Sequence, residues 1–473
     1  MILRRFYNDS LAQASFLVGC GKTREAIVID PNRHIEAYME AAADEGLRIT
    51  AVTETHIHAD YLSGSRELAA RTGATLYLSD EGDAEWKYGF ANESNVRLVK
   101  NGDSIRAGNV RLDVLHTPGH TPEHISFLLT DEASAEAPLG IFSGDFVFVG
   151  DVGRPDLLER AANFKGTMEK GARVLYQSLV RFKELPDHLI VWPAHGAGSA
   201  CGKALGGVPI STLAYEKMAN WALRMGTEDG FVEEVLAGQP EPPYYFKEMK
   251  RLNKIGPPMV GGFRPPARLA GSEILSVVDR GEVLVDVRPG GVAATGYVPG
   301  SLNIPLDRSF INWSGWMIPY DRPIYLLAET AEDAEAAAKD LLLIGLDNVA
   351  GWFGRDALRA YEGAHGTLPV TAQSSMRDAV DQANQGCACI LDVRGQTEFE
   401  EAHVPGACHI PLGYLGERAN ELPKDQTILV HCGGGVRSAI AASVLHKAGF
   451  ADVANIPGGF YEYLELKPAA RIG

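Results

Sequence analysis

Short apolar runs of strand length, punctuated by turns bearing Gly and Pro and alternating with Ala-rich stretches, recur along the whole chain. In the first half, AIVIDP (26–31), ATLYLSD (74–80) and VRLDVLHTPGH (110–120) predict strands, whereas HIEAYMEAAADEG (34–46) predicts a helix. The recurring order there is a strand, a loop holding polar residues of the metal-ligand type, then a helix. In the second half the pattern repeats itself. VLVDVRPGGVAATGYVPGSLNIP, from Val283, lies over CILDVRGQTEFEEAHVPGACHIP, from Cys389. Asp286 precedes Gly300 by 14 residues and Pro305 by 19, and the same intervals separate Asp392 from Gly406 and Pro411. Each copy predicts a first strand (283–287; 390–393), a Pro-Gly turn, a second strand (324–328; 428–432) and a helix from Ala331 or Ser438. Strands alternating with helices read as small parallel α/β sheets with right-handed crossovers.

Between the two halves, GQPEPPYYFKEMKRLNKIGPPMVGGFRPP (238–266) is dense in Pro and Gly and predicts a linker packed over a surface. The expected organisation is therefore three domains, 1–250, 251–367 and 368–473. A length of 473 residues agrees with it, at about 150 residues per domain. Hydrophobic residues make up 45% and charged residues 22%, which excludes a disordered or fibrous chain.

Charge narrows the set of partners. Lys plus Arg number 44 against 61 Asp plus Glu, a net −17 with no basic run to offset it, so no nucleic acid and no anionic membrane is expected. MILRRFYNDSLAQASF carries no apolar segment behind its arginines, and no window approaches the roughly 18 apolar residues of a membrane span. A cytoplasmic location is the expectation. Cysteines at 20, 201, 387, 389, 408 and 432 do not form the dense framework of a disulfide scaffold, so reduced thiols are expected.

Five segments of the first domain end strands with ligand-type residues. They are AIVIDP (Asp30), THIHADYLSG (His56, His58, Asp60), HTPGHTPEH (His116, His120, His124), FSGDFVF (Asp145) and PAHGAGSACG (His195, Cys201). The one-residue gap in His56-Ile-His58 predicts two imidazoles on the same side of an extended segment, converging on one ion. Asp145, after an apolar strand and a Ser-Gly turn, offers an anionic oxygen to the same point.

These pieces, in this order, resemble the metallo-β-lactamase superfamily, whose fold is an αβ/βα sandwich with a metal site at the strand ends. In that superfamily the Asp of VIDP is structural, which leaves Asp30 outside the metal shell. The dinuclear zinc hydrolases of the superfamily read HxHxDH, whereas this chain has Tyr61 at the last position, so a second metal would lose a ligand. The resemblance to the persulfide dioxygenase branch, which extends to DVGRPD after Asp145, implies one Fe(II) per chain held by His56, His120 and Asp145. His58, Asp60 and His195 would orient those ligands. Two imidazoles and a carboxylate leave positions open for O2 and a persulfide, an arrangement that suits non-haem iron. Tyr61 reads equally as a hydrogen-bond donor into this cavity or as a packed aromatic, and Arg154 as a substrate contact or a structural one. Cys201 reads as a second persulfide-carrying thiol or as a buried loop thiol.

In the second repeat, TILVHCGGGVRSAIAASVL places Cys432 between a strand and a helix of small residues. Successive N–H groups of Gly433, Gly434, Gly435 and Val436, with the helix N-terminus and Arg437, would stabilise a thiolate that attacks sulfane sulfur. Cys387, Cys389 and Cys408 read as small hydrophobes. DVR, HVPGA, HIP and the loop from Cys432 to Arg437 resemble the rhodanese domain, a sulfurtransferase. The first repeat resembles it too, but Glu329 stands where Cys belongs and Ala334 where Arg belongs, implying an inactive spacer or docking domain. The expected fold is thus α/β, a metallo-β-lactamase αβ/βα sandwich followed by two rhodanese-like parallel α/β domains.

The combined resemblance, to persulfide dioxygenase–rhodanese fusions, implies oxidation of a low-molecular-weight persulfide of the glutathione or coenzyme A type. Sulfite, thiosulfate and O2 are the other small-molecule partners it implies, together with self-association into a homo-oligomer. Two alternatives stand beside it, a dinuclear zinc thioester hydrolase of the glyoxalase II type fused to a rhodanese, and a non-catalytic sulfur sensor or scaffold.

Overall fold

The computed structural model describes residues 1–162, 166–203 and 205–466, so residues 467–473 of the expected third domain lie outside the described residues. The chain divides into two compact units, Met1–Phe263 with Leu342–Gly345, and Arg264–Leu341 with Leu346–Gly473.

The first unit is built on two six-stranded sheets. In one, Ile2–Asn8, Gln13–Gly19, Glu25–Ile29, Arg48–Thr53, Thr75–Ser79 and Val96–Val99 lie side by side in chain order. In the other the spatial order is Ser211–Thr212, Ile190–Pro193, Gly140–Gly144, Ile125–Asp131, Val110–His116 and Ser104–Ala107. Side chains alternate across a strand, so each sheet has one face for its partner sheet and one for helices. Phe16, Val18, Ile27 and Ile29 meet Leu112, Phe127 and Phe142 between the sheets. On the outer faces, Ile35, Tyr38 and Leu68 pack on Leu17, Val28 and Val52, while Leu175, Leu179 and Phe231 pack on Ile141 and Val191. This is the expected αβ/βα sandwich. Polar residues on a doubly covered strand must find partners inside it. Gln13 accordingly donates to the Asp30 carbonyl at 3.0 Å, and the Ser15 hydroxyl meets that of Tyr38 at 2.7 Å.

The stretch expected to be a surface linker contains a helix, Phe246–Ile255, with Phe246, Met249 and Asn253 buried. Its apolar residues fall at helical spacing, and their burial outweighs the Pro and Gly that flank them.

The second unit holds two parallel sheets. Their orders are Leu302–Asn303, Val283–Asp286, Ile324–Leu327, Val349–Phe353, and Ala372–Gln373, Val453–Asn455, Thr427–His431, Ala388–Asp392, Cys408–His409. The sequence repeat is visible in the geometry. Arg288 pairs with both oxygens of Asp286 at 2.8 and 2.6 Å and donates to the Gly296 carbonyl. Arg394 pairs in the same way with Asp392 at 3.0 and 2.6 Å and donates to the Ala402 carbonyl. Both pairs are buried, where only a fork-to-fork match with further hydrogen bonds offsets the loss of water. The thiols of Cys387 and Cys408 are exposed rather than packed as small hydrophobes, because they lie on a turn and on the short edge strand of the sheet.

Removing one charge from such a pair strands the other. Asp392→Asn is expected to destabilise the second unit by about 3–5 kcal/mol, read as a lowered calorimetric transition; an unchanged transition would show that the pair adds nothing to the fold.

Candidate metal centre and sulfur-carrying loop

Asp30, at the end of the strand Glu25–Ile29, organises the loop that bears the histidines. One of its oxygens accepts from the Thr55 N–H at 2.6 Å and from His58 Nε2 at 3.2 Å, and the other from the Thr55 hydroxyl at 3.0 Å. The hydroxyl proton of Thr55 is thereby committed to Asp30, so the contact between Thr55 Oγ1 and His56 Nδ1 at 3.0 Å has the imidazole donating. The lone pair of His56 is left on Nε2. His120 is set the same way: its Nδ1 donates to the Arg154 carbonyl at 3.0 Å, leaving Nε2 as the acceptor.

The two Nε2 atoms, of His120 and His56, lie 3.7 and 3.9 Å from Asp145 Oδ2. Burial, with His58 beside it, holds His56 well below the usual histidine range, and burial with the charge of Lys250 brings His120 down to about 3. Both are neutral imidazoles, the form that ligates. Burial raises the Asp145 carboxyl to about 6. No hydrogen bond reaches His56 Nε2 or either oxygen of Asp145, although all are sealed from solvent. Buried charge without a partner costs several kcal/mol, so the three residues fit a cation, and their donor set is the two-histidine, one-carboxylate set of non-haem iron.

Asp145 reaches this point through a backbone turn that only glycine accommodates. Gly144 has φ +56°, and a Cβ there would lie 2.6 Å from His124 Nε2 and 2.7 Å from Thr55 Oγ1. His124, which carries no ligand atom to the group, accepts from the Asp145 N–H at 3.1 Å.

A second group lies alongside. His195 donates from Nδ1 to the Ala12 carbonyl, and its Nε2 lies 3.3 Å from Asp60 Oδ2 and 3.5 Å from Asp145 Oδ1. Cys201 joins Asp60 and His195 as a potential ligand set, and burial, with Asp60 and then Asp145 nearby, pushes its thiol well above the ordinary range. Neither oxygen of Asp60 has a hydrogen bond.

Three expectations are revised. His58 does not converge with His56: residues 54–62 bend rather than extend, and its Nε2 is bound to Asp30. Burial works against its charge, but Asp30, with Glu54 and Asp60, raises it to about 9, so it is a cation and no ligand. Tyr61 is the packed aromatic, fully buried against His58, with its hydroxyl donating to the Asp30 carbonyl at 3.2 Å. Arg154 is a buried brace, not a substrate contact: it pairs with Asp156 at 3.0 and 2.7 Å and donates to the carbonyls of Ala200 and Pro240. Its own carbonyl is what orients His120.

Asn253 was not visible from local sequence. Its Nδ2 donates to the carbonyls of His58 and Tyr61 at 2.8 Å each, and its Oδ1 accepts from the Ser63 N–H at 2.9 Å, clamping the histidine loop from 190 residues away. The signal available was its place among the apolar positions of a helix read as linker.

In the second unit Cys432 follows the strand Thr427–His431, and the helix Val436–Lys447 starts two residues earlier than its expected start at Ser438. The early start closes the loop: the Gly435 N–H donates to Cys432 Sγ at 3.1 Å, and Ser438 Oγ lies 3.6 Å from it. Gly435 has φ +94°, and a Cβ there would lie 2.4 Å from the Pro457 carbonyl oxygen. Arg437 is held by two bonds from Glu398, 2.5 and 2.8 Å; burial weakens its charge, and Glu398 more than restores it. Glu398 was detectable, because the corresponding residue of the first repeat is Val292. There residues 328–330 join strand to helix against 432–435 here, Glu329 is tied to Arg355, and Ala334 is buried.

An αβ/βα sandwich that gathers two neutral imidazoles and a carboxylate at its strand ends defines a metal-dependent enzyme of the metallo-β-lactamase class. The sequence profile of the metallo-beta-lactamase superfamily matches residues 9–195, and that of the rhodanese-like domain matches residues 374–466. A solved metallo-beta-lactamase from Staphylococcus aureus subsp. aureus COL is 42% identical with a TM-score of 0.66, covering 75% of this chain and 98% of its own. Persulfide dioxygenase ETHE1, mitochondrial, of Bos taurus is 26% identical over 234 residues, 48% of this chain and 78% of its own. A hydroxyacylglutathione hydrolase of Polaromonas sp. (strain JS666 / ATCC BAA-500) is 33% identical over 200 residues, 41% of this chain and 66% of its own. The chain belongs to the metallo-beta-lactamase superfamily and carries a C-terminal rhodanese-like domain. Among the described residues no helix is long and apolar enough to cross a membrane.

A ligating carboxylate must be ionised, so protons compete with metal below the Asp145 value of about 6. Metal affinity, measured by chelator competition, is expected to rise with pH through that region and level off above it; a flat profile between about pH 5 and 7 would exclude Asp145 as a ligand. Asn253→Ala is expected to lower metal affinity about 10–100-fold while leaving every ligand in place.

Proposed function

We propose that the chain is a bifunctional persulfide dioxygenase and thiosulfate sulfurtransferase. In this reading 1–250 is the dioxygenase domain, 251–367 a thiol-free rhodanese-like domain and 368–473 the sulfur-carrying rhodanese domain. The observation that carries the dioxygenase half is the buried set of His56, His120 and Asp145, whose two imidazoles are neutral and whose ligand atoms lie together. These three hold one Fe(II) per chain, which supplies the electrons and open positions for joining O2 to a persulfide sulfur. Overall, RSSH, O2 and H2O give RSH, sulfite and two protons. The protein's own part is to keep both lone pairs directed inward through Thr55 and Arg154, and to exclude bulk water.

At the second centre, sulfite attacks the outer sulfur of a Cys432 persulfide. The S–S bond to Cys432 breaks, thiosulfate leaves, and Cys432 remains as a thiolate facing the Gly435 N–H. Run the other way, thiosulfate and a thiol make the persulfide that the first centre consumes. The persulfide carrier is of the glutathione or coenzyme A type, and the chain self-associates.

A second reading, a dinuclear zinc thioester hydrolase fused to a rhodanese-like domain, is favoured by one observation: Asp60, His195 and Cys201 form a further potential ligand set beside Asp145. The metal content of protein made without added metal separates the two. About one iron per chain supports oxygenation, whereas paired zinc with thioester cleavage and no O2 uptake replaces it with the second reading.

With glutathione persulfide after anaerobic iron loading, O2 consumption is expected to persist in Cys432→Ser while sulfite accumulates, and to vanish in His120→Ala. Full oxygenase activity in His120→Ala would overturn the ligand assignment.

A further inference from the structure

The two parallel sheets of the second unit share a cavity of about 530 Å3. It opens at the carboxyl ends of strands from both, the place where open α/β sheets bind ligands. Asp307 follows Leu302–Asn303, Glu329 and Asp333 surround the start of the helix Ala331–Leu343, and Asn455 ends Val453–Asn455. Across from them, Gly434, Gly435 and Val436 of the cysteine loop form a wall. The residue whose N–H meets Cys432 Sγ is therefore also part of the cavity's lining.

The polar groups facing this space are hydrogen-bond acceptors. Asp307 uses one oxygen on the N–H and hydroxyl of Ser309, and Asp333 one oxygen on the Thr330 N–H. Asn455 is only 6% exposed, and its Oδ1 has no hydrogen-bond partner, while its Nδ2 donates to Gln373 at 3.3 Å. Arg288 also lines the cavity, but its guanidinium is committed to Asp286 and the Gly296 carbonyl. A buried amide oxygen without a donor, set among three carboxylates, calls for a ligand that brings N–H groups and positive charge.

We propose that this cavity docks the low-molecular-weight thiol that exchanges sulfur with Cys432, and that the group it recognises on that thiol is an ammonium. The inference rests on the sulfurtransferase reading of Cys432 and narrows it. Carriers bearing an amine are selected, and carriers whose charge is mainly phosphate are repelled by Asp307, Glu329 and Asp333. The repeat that lost its own thiol then forms half of the binding site for its neighbour, and Glu329, standing where a cysteine would be, is part of the wall. In the transfer, the carrier thiolate attacks the outer sulfur of the protonated Cys432 persulfide. A carrier S–S bond forms as the bond to Cys432 breaks, and the electron pair stays on Cys432 as thiolate.

The test uses the full-length protein charged with thiosulfate. Cysteamine (cationic), 2-mercaptoethanol (neutral) and mercaptoacetate (anionic) serve as acceptors, with kcat/KM expressed per acceptor thiolate. The wild type is expected to prefer cysteamine to 2-mercaptoethanol by about tenfold, with mercaptoacetate poorest and the preference shrinking at high salt. In Asp307→Asn/Asp333→Asn the ratio should fall toward one. Because the ratio is internal to each protein, it does not depend on how much of the variant is folded, and Glu329→Gln provides an independent charge removal. Equal use of the three acceptors by the wild type, or a preference that survives both variants, would overturn the proposal. Calorimetric titration of Cys432→Ser with 2-(methylthio)ethylamine needs no chemistry. Binding there that weakens about tenfold in the double Asn variant, alongside a wild type that transfers no sulfur, would sink the sulfurtransferase reading and leave the cavity standing. Absence of binding would sink the cavity assignment itself.

Discussion

A carboxylate sealed from water with no hydrogen bond to either oxygen is the arrangement around which the first unit is organised. Asp145 is fully buried, and its neighbours Nε2 of His56 and of His120 face it with lone pairs rather than protons. Left alone, three acceptors in one dry pocket repel one another, and the carboxyl responds by holding its proton up to about pH 6. A cation reverses the sign of each of those interactions. The bonds from His56 to Thr55 and from His120 to the Arg154 carbonyl have the same consequence, since each holds the proton on Nδ1 and so keeps Nε2 for a metal. The buried ion pair of Arg154 with Asp156 and the clamp of Asn253 then appear as supports for the loops that present these atoms.

The second unit shows one scaffold with two outcomes. Both repeats keep the Asp–Arg fork that seals the first strand, Asp286 with Arg288 and Asp392 with Arg394, because a buried charge in that position has no tolerable alternative short of replacing the pair. They diverge where no core residue is at stake. In one copy the strand turns through glycines into a helix whose first amides close around Cys432. In the other a shorter connection leads to Glu329, bound to Arg355. The stability of the fold and the presence of a thiol are therefore separable properties, which is why a repeat can lose the second and keep the first.

Much of the architecture was legible in the chain. Equal spacings from Asp286 and Asp392 revealed the repeat, and the Gly-rich turn after an apolar strand located Cys432 at a helix N-terminus. The histidine-rich turns after strands located a metal site. Less legible were partners chosen in three dimensions. His56 and His58 have the same chemistry and adjacent places in the chain, yet one faces Asp145 and the other is an imidazolium bound to Asp30. Arg154 has the composition of a substrate anchor, but every donor in its fork is turned to buried protein oxygens. Asn253 sits in a stretch whose Pro and Gly content masks a helix.

By itself the sequence determined which kinds of chemistry were on offer: imidazoles and carboxylates at strand ends, one thiol in a glycine cradle, and one repeat without it. Those are properties of residue type and local spacing, set by side chains within a few positions of one another. Only the tertiary structure decided which groups share a pocket, that Cys201 stands with Asp60 and His195, and which proton each histidine keeps. Convergence of residues far apart in the chain depends on which strand ends become neighbours, and a hydrogen-bond partner or a pKa depends on the distances and burial that this packing creates.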